Sequence, residues 1–225
     1  MSPAPALRHV RPEARPEAAL AAAAQGDVDL DAVRTAAQGC RACDLWQRAT
    51  QTVFGQGPVP ARLMLVGEQP GDQEDVRGEP FVGPAGRILD QALEKAGIDR
   101  ETVFVTNVVK HFKWRPAPSG KRRLHERPNR AEIGACLPWV ESELALVRPA
   151  ALVLLGATAT TALVGSKVSV TRDHGSPLDS ELAPLVVATI HPSAVLRARG
   201  SDARDELQAG LVADLTAVAH HLSQA

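Results

Sequence analysis

Residues 62–71 read RLMLVGEQPG, an apolar run that ends in a glycine, a carboxylate and a Gly/Pro turn. Later apolar runs end in a similar way and lie at residues 103–106, 151–155 and 185–190. Stretches with helical patterning follow these runs, at residues 86–96, 130–147, 158–164 and 203–222. Buried strands that alternate with helices form a parallel sheet with both faces covered. We therefore predict an α/β fold of three layers, αβα, around a central four-stranded parallel sheet.

Polar side chains follow three of these runs, where each predicted strand ends. They are Glu68, Asn107 and His191. Each has an ordinary explanation as a turn or capping residue, but ligands of parallel sheets bind beyond the carboxyl ends of the strands. The amide of Asn107 carries a donor and an acceptor in one plane, which suits the edge of a nucleobase. The ring of Phe81, in a Gly/Pro-rich loop, is able to stack on such a base. Together these residues predict a base-binding pocket.

The size and charge of the chain limit its organisation. It has 225 residues and a formal net charge of −1, which suits one α/β domain with a modest extension. We predict a flexible Ala/Pro-rich segment over residues 1–28 and a single domain over residues 29–225. The sequence contains neither an apolar run of about 18 residues nor a basic stretch followed by a hydrophobic one. We therefore expect a cytoplasmic protein without membrane contact.

The cysteines indicate a metal site. Cys40 and Cys43 form a C-x-x-C pair, and Cys136 is the third cysteine of the chain. Disulfides are not expected in a reducing cytosol. A redox C-x-x-C commonly follows a strand and begins a helix, whereas this pair comes after a predicted helix over residues 29–38. The pattern therefore favours metal binding.

These motifs, taken together, resemble those of a known enzyme family. The order and spacing of GEQPG (67–71), PFVG (80–83), TN (106–107) and HPS (191–193) resemble the motif set of the iron–sulfur (type 4) uracil-DNA glycosylases. The resemblance implies a uracil-DNA glycosylase-like fold. It also implies that Phe81 stacks on a flipped uracil, that Asn107 binds its polar edge, and that backbone near Gln69 contacts the base.

The resemblance further implies how the reaction proceeds. His191 donates to uracil O2 as negative charge develops on the leaving base, and Glu68 stabilises the sugar cation or positions the attacking group. Donors aimed at the departing uracil anion supply electrostatic stabilisation. The nucleotide has to leave the base stack before its glycosidic bond can be reached.

The resemblance also implies a [4Fe–4S] cluster. Its ligands here are Cys40, Cys43, His111 and Cys136. In type 4 enzymes a cysteine follows the Asn-containing strand, where this chain has His111. Histidine replaces cysteine on iron in Rieske centres. A structural zinc is the alternative, because three cysteines and one histidine also suit tetrahedral Zn²⁺. In either case we expect a structural role.

A basic segment follows the second predicted strand. Residues 110–130 contain eight Lys or Arg and a single acid, Glu126, which predicts a solvated loop that contacts phosphates. Residues 120–125, GKRRLH, resemble the loop of the uracil-DNA glycosylase X group, with Leu124 where isoleucine is usual. In that group the loop histidine attacks C1′ after uracil leaves and stays bonded to the abasic site. The resemblance implies that His125 is the nucleophile. Glu68 then either orients the ring or takes its proton, as in other pairs of a nucleophile and a base.

The neighbours of that histidine complete the prediction. Lys121, Arg122 and Arg123 are expected to contact DNA and to disfavour the imidazolium form of His125. We thus expect a monomer that recognises uracil in DNA, with single strands preferred, and forms a covalent His125–C1′ adduct once per protein molecule. The alternatives are a turnover type 4 glycosylase and a non-enzymatic, metal-stabilised nucleic-acid-binding protein.

Overall fold

A computed structural model describes residues 15–120 and 122–224. The strands of this part are β1 (Leu63–Gly67), β2 (Val103–Asn107), β3 (Trp114–Pro116), β4 (Arg123–His125), β5 (Ala151–Leu155) and β6 (Leu185–Thr189). The helices are α1 (Pro16–Gln25), α2 (Leu30–Ala37), α3 (Asp72–Arg77), α4 (Pro84–Lys95), α5 (Arg130–Val147), α6 (Ala157–Val164), α7 (Val170–Asp173), α8 (Pro192–Arg197) and α9 (Ser201–Gln224). Short 3₁₀ turns lie at Asp44–Gln47 and Arg100–Thr102.

The core of the molecule is a parallel sheet in the order β2-β1-β5-β6. Every residue of these four strands is buried, because successive side chains point to opposite faces and helices cover both. Met64 and Val66 pack in one cluster with α1, α2 and α5, whereas Leu63 and Leu65 pack in another with α4 and α9. The predicted three-layer αβα fold with four parallel strands is confirmed.

The N-terminal region differs from the prediction. Residues 16–25 form α1 instead of a flexible segment, and the helix contacts α5 through buried residues such as Ala19 and Ala23. Small alanine side chains allow the two helices to approach closely. The apolar periodicity of this stretch is weak, so the sequence pattern did not indicate a packed helix. Residues 1–14 lie outside the described part, and the predicted domain boundary stays a prediction.

Helix α5 carries several residues that matter below, and its start is firmly set. The side chain of Asn129 accepts a hydrogen bond from Glu132 N (2.9 Å), and the Glu132 carboxylate accepts one from Asn129 N (2.6 Å). This reciprocal capping box satisfies two backbone donors at the helix start. The helix therefore presents Cys136 and Glu143 to the loop that follows β2 in a fixed register.

Two parts of the basic segment pair as a hairpin, whereas we predicted a loop. Most of the described residues between 115 and 127 are exposed, as we expected. Strands β3 and β4 pair in antiparallel fashion, with Trp114 opposite His125 and Pro116 opposite Arg123. Directly opposed residues place their side chains on the same face of such a pair. Trp114, Arg123 and His125 therefore share one face.

Within residues 15–120 and 122–224, no helix combines the length and the apolar character that a membrane crossing requires.

Candidate active site

The deepest part of the candidate site lies where β1 and β2 end side by side. Gly67 and Asn107 are register partners in the parallel pair. A Cβ at Gly67 would collide with Asn107 Oδ1 and lie 2.7 Å from the Phe81 ring. Oδ1 of Asn107 is buried and has no hydrogen-bond partner among the described residues. A buried acceptor without a donor costs about 1–3 kcal/mol, so this amide points to a ligand N–H.

Phe81 forms one wall beside that amide. Its φ of 58° lies in the left-handed region, which a bulky residue adopts at a cost of about 1–3 kcal/mol. The conformation is held from behind, because the Phe81 carbonyl lies where a Cβ at Gly86 of α4 would be. The Phe81 ring is 6.2 Å from that of His191, with 28° between their planes. The two rings thus lie close together in roughly parallel planes, and stacking of Phe81 on a base stays a prediction.

His191 begins α8, and its protonation is fixed by its own turn. Nδ1 accepts a hydrogen bond from Ser193 N at 3.1 Å, so Nδ1 carries no proton. Burial, followed by the positive charge of Arg197 and the neighbouring His125, lowers the pKa of His191 to about 4. The ring is therefore neutral near pH 7, with its proton on Nε2. A neutral imidazole in this tautomer is a hydrogen-bond donor through Nε2.

Glu68 follows β1 and faces the mouth of the pocket. Its Oε2 accepts a hydrogen bond from the Thr158 hydroxyl. Its Oε1 lies 3.5 Å from His125 Nε2. The structure therefore brings together the carboxylate and the loop histidine that the sequence predicted to act as a pair.

His125 is held by the turn that begins at Gly67. Gln69 Nε2 lies 2.8 Å from His125 Nε2 and donates to Glu126 O at 3.0 Å. Gln69 Oε1 accepts from Lys113 N at 3.0 Å. The Gln69 side chain thus spans both strands of the hairpin. A contact between uracil and the backbone near Gln69 stays a prediction.

The expected neutral form of His125 agrees with its surroundings, but for a different reason. Burial lowers the pKa of His125, Glu68 opposes this, and Arg197 of α8 adds to the lowering. Among the described residues, Arg123 is neutralised by carboxylates, and the cation that lowers the pKa of His125 is Arg197. Lys121, whose influence was also expected, lies outside the described residues.

Arg123 is an anchor of the hairpin. Its guanidinium contacts Asp72 Oδ1 and Asp75 Oδ2, both at 2.5 Å. It also lies over the rings of Phe112 and Trp114, at 5.4 and 5.5 Å. The N–H donors of Arg123 therefore face protein carboxylates. A DNA phosphate that contacted this side chain would have to share those donors with Asp72 and Asp75. Arg122 is exposed, as a phosphate contact requires, and Lys121 lies outside the described residues.

Two further cations of the basic segment are also paired. Lys110 and Glu143 are both completely buried and lie 2.6 Å apart, and Lys113 pairs with Glu132 at 3.0 Å. Lys110 also donates to Thr106 Oγ1 and to Asn107 O. Among the described residues of the segment, the exposed cations are Arg115, Arg122, Arg127 and Arg130.

The three cysteines lie in one region behind the pocket. Cys40 accepts a hydrogen bond from Trp139 Nε1 at 3.2 Å, and Cys136 accepts one from Lys110 N at 3.1 Å. Burial raises the pKa of Cys136 to about 12, Lys110 opposes this, and Cys40 and Cys43 add to the increase. N–H donors aimed at sulfur are typical of iron–sulfur ligands.

His111 is oriented by Thr52. The Thr52 hydroxyl donates to Ala37 O, so it accepts from His111 Nε2 at 3.0 Å. Burial lowers the pKa of His111 to about 4, opposed by Asp75, which leaves a neutral ring with a lone pair on Nδ1. Across the described ranges, no three His, Cys, Asp or Glu side chains are arranged to hold a single metal ion. The predicted set thus fits a cluster in its donor chemistry but does not close around one ion.

Sequence reasoning missed the residues that support the site. Thr158 lies just after Gly156 at the end of β5. The rule that ligands bind beyond the ends of parallel strands, which selected Glu68 and Asn107, would therefore also have selected Thr158. Asp75, in contrast, shows no local signal, because its partner Arg123 lies 48 residues along the chain.

Comparison with known proteins agrees with this geometry. The family described as the Uracil DNA glycosylase superfamily matches residues 54–216. The chain is 38% identical over 176 residues to the Type-4 uracil-DNA glycosylase of Thermotoga maritima, covering 78% of this chain and 87% of that protein. The Type-4 uracil-DNA glycosylase of Pyrobaculum aerophilum is 36% identical over 177 residues, with 76% and 86% covered. That of Archaeoglobus fulgidus is 34% identical over 174 residues, with 74% and 83% covered.

Proposed function

Since the chain belongs to the uracil DNA glycosylase superfamily, we propose that it removes uracil from DNA by breaking the bond between the base and sugar C1′. The observation that carries the proposal is the partnerless Oδ1 of Asn107 beside Phe81. Uracil N3 bears a hydrogen that this oxygen accepts, whereas cytosine N3 is itself an acceptor. A site built to accept that hydrogen bond discriminates strongly against a base that lacks the donor.

The other pocket residues act on the developing charges. Phe81 stacks on the extruded base, and the Nε2–H of neutral His191 stabilises negative charge at uracil O2. Glu68 faces the sugar as C1′ becomes cationic. These roles use the tautomer of His191 set by Ser193 N.

Hydrolysis with turnover is the first candidate for the second half of the reaction. The named relatives are Type-4 uracil-DNA glycosylases, and by analogy water attacks C1′ here. Glu68 positions that water and takes its proton. The products are free uracil and an abasic site, and the protein is released unchanged.

A covalent adduct is the second candidate, and the position of His125 favours it. His125 Nε2 lies 3.5 Å from Glu68 Oε1, and burial lowers the pKa of the ring. In this route the C1′–N1 bond breaks, uracil leaves with the electron pair, and a bond forms between C1′ and Nε2. The ring then loses its Nδ1 proton to solvent, and the protein acts once.

One experiment tests both candidates. Protein in excess is incubated with uracil-containing single- and double-stranded DNA, and free uracil and SDS-resistant complexes are measured together. Release of uracil without a retained complex supports turnover, whereas a complex lost in His125→Ser, with uracil release retained, supports the adduct. A protein that binds this DNA but releases no uracil would be a nucleic-acid-binding protein and would overturn the proposal.

We also propose that Cys40, Cys43, His111 and Cys136 hold a [4Fe–4S] cluster that stabilises the fold. The support is the N–H donation to two of the sulfurs and the neutral His111 ring. The alternative is zinc. An absorption band at about 400 nm, with iron and sulfide present, identifies the cluster, whereas a colourless protein that contains zinc rejects it.

Finally, we propose that the protein acts as a cytoplasmic monomer with a preference for single-stranded DNA. Light scattering at assay concentration, with and without DNA, tests the oligomeric state.

A further inference from the structure

Thr158 contacts the candidate catalytic carboxylate but has no role in the functions described so far. It is the second residue of α6 and is buried. Its hydroxyl donates to Glu68 Oε2 and accepts from Arg127 Nε at 3.2 Å. Arg127 is only a donor, so the single hydroxyl proton of Thr158 is available for the hydrogen bond to Glu68.

The position of Thr158 is fixed by the turn before it. Gly156 has a φ of 87°, and its N–H donates to Thr189 O of β6 at 2.8 Å. A Cβ at Gly156 would lie 2.8 Å from His191 Cβ. The turn therefore packs tightly against the strand that leads to His191, and it presents the Thr158 hydroxyl from a rigid part of the fold.

The contact with Thr158 gives the two carboxylate oxygens of Glu68 different surroundings. Oε2 is occupied by Thr158, whereas Oε1 faces His125 Nε2 at 3.5 Å. A glutamate side chain has three rotatable bonds, and holding one oxygen removes most of that freedom. The remaining oxygen is then aimed at the place where water or His125 acts on C1′.

We propose that Thr158 is a positioning residue that sets the orientation of Glu68 for attack on C1′. The proposal rests on the uracil-excising function. It applies to attack by water, which Glu68 positions and deprotonates, and to attack by His125, since in both routes Glu68 faces C1′ as it becomes cationic. Groups held in the reacting geometry contribute to rate through orientation, so the effect belongs to the chemical step and not to base binding.

The test compares Thr158→Val with Thr158→Ser. Valine keeps the shape but removes the hydroxyl, whereas serine keeps the hydroxyl. Product formation is measured with protein in excess over uracil DNA, which gives a maximal rate and a half-saturating concentration for either route. We expect Thr158→Val to lower the maximal rate about 10-fold, equal to about 1.4 kcal/mol, with half-saturation unchanged. We expect Thr158→Ser to stay within about threefold of the wild type.

A second arm separates positioning from a general effect on folding. Thr158→Val is also made in a Glu68→Gln background, and thermal unfolding is recorded for every variant. If Thr158 acts through the charged Glu68, its substitution has little further effect there, and the two changes are non-additive. The proposal is overturned by equal losses in both backgrounds, by an unchanged maximal rate, or by a serine variant as slow as the valine one. Failure of the proposed function is distinct, since the wild type would then form no product.

Discussion

The floor of the pocket and the hairpin that carries His125 are built in different ways. Gly67 and Asn107 lie at the ends of buried parallel strands, with every backbone position fixed by the sheet. The hairpin has two three-residue strands, and His125 on it is about half exposed. A two-stranded hairpin alone is marginally stable, so this one depends on side-chain anchors. The residues proposed to recognise the base therefore belong to the core of the fold, whereas His125, the proposed nucleophile, is carried on an attached element.

The two regions also use ion pairs differently. Behind the floor, Lys110 and Glu143 are both fully buried, and Lys110 Nζ donates to the carbonyl of Asn107. At the hairpin, Arg123 is partly exposed and bridges to Asp72 and Asp75 of α3. Asp75 is itself fully buried, but it keeps hydrogen bonds from Thr50 N and Thr50 Oγ1 when Arg123 is removed. Removing one partner of a pair that is buried on both sides is expected to cost more stability than removing a partner that is partly exposed. We therefore expect the largest effect on stability from changes at Lys110 and smaller effects from changes at the hairpin.

The largest effect is expected behind the floor, from Lys110→Met. It leaves the Glu143 carboxylate buried without its cation, and we expect a loss of about 3–5 kcal/mol in the free energy of unfolding. Urea denaturation measures this. The double variant Lys110→Met/Glu143→Gln keeps an acceptor for Gly55 N without the charge, so it is expected to recover part of the loss. A loss below about 1 kcal/mol in the single variant would show that the pair does not hold the floor.

The second prediction concerns Asn107→Leu, which removes the proposed hydrogen-bond acceptor for uracil. The leucine leaves the N3–H of uracil without an acceptor, and we expect product formation to fall on the order of 100-fold, about 2.7 kcal/mol. Uracil release and any covalent complex are expected to fall together, since recognition precedes both. The protein loses no stability, because a buried oxygen without a partner is removed. Normal excision by this variant would contradict the assignment of the floor.

Arg123→Met is directed at the hairpin. Methionine keeps an apolar stem against Phe112 and Trp114 but removes the bridge to α3. We expect any His125-dependent product to fall about 10-fold, while free uracil binds within about twofold of the wild type. Arg122→Met is the matched control, and it is expected to lower only the slope of log affinity against log salt by about one. Equal behaviour of the two variants would place Arg123 among the DNA contacts instead.

The smallest effect concerns pH. The folded-state pKa of His191 is about 4, below the unfolded value of about 6.5, so the unfolded chain binds more protons between these values. Stability is therefore lost as the pH falls from about 6.5 towards 4. We expect His191 to contribute a loss of about 1 kcal/mol between pH 7 and pH 5, because the ring is partly exposed. Urea denaturation of the wild type and His191→Asn at both pH values isolates this contribution, and identical losses would contradict it.

The same contrast explains what the sequence was able to predict. The parallel strands and the residues at their ends follow from apolar runs and turn residues, which are local signals, and so the floor was found. The hairpin was not found, because residues 113–126 are dominated by charge and proline and contain little alternation. The burial of Lys110 and the pairing of Arg123 depend on Glu143 and Asp75, which only the fold brings near. A basic residue in a sequence predicts a solvent-exposed side chain, and its burial becomes evident only when the acidic partner is located in the fold.

The pairing of Gly67 with Asn107 has a consequence for how this site is able to change over generations. Under the proposed function the base lies beside residue 67, which lacks a side chain, and both neighbours that an added methyl group would meet, Asn107 and Phe81, are buried. If the proposed function is correct, a single codon change at this position blocks base recognition, while the hairpin, its anchors and the exposed cations stay in place. Such a descendant would keep the proposed DNA-binding surface but would no longer recognise uracil, so one added methyl group would separate a glycosylase from a protein that only binds DNA.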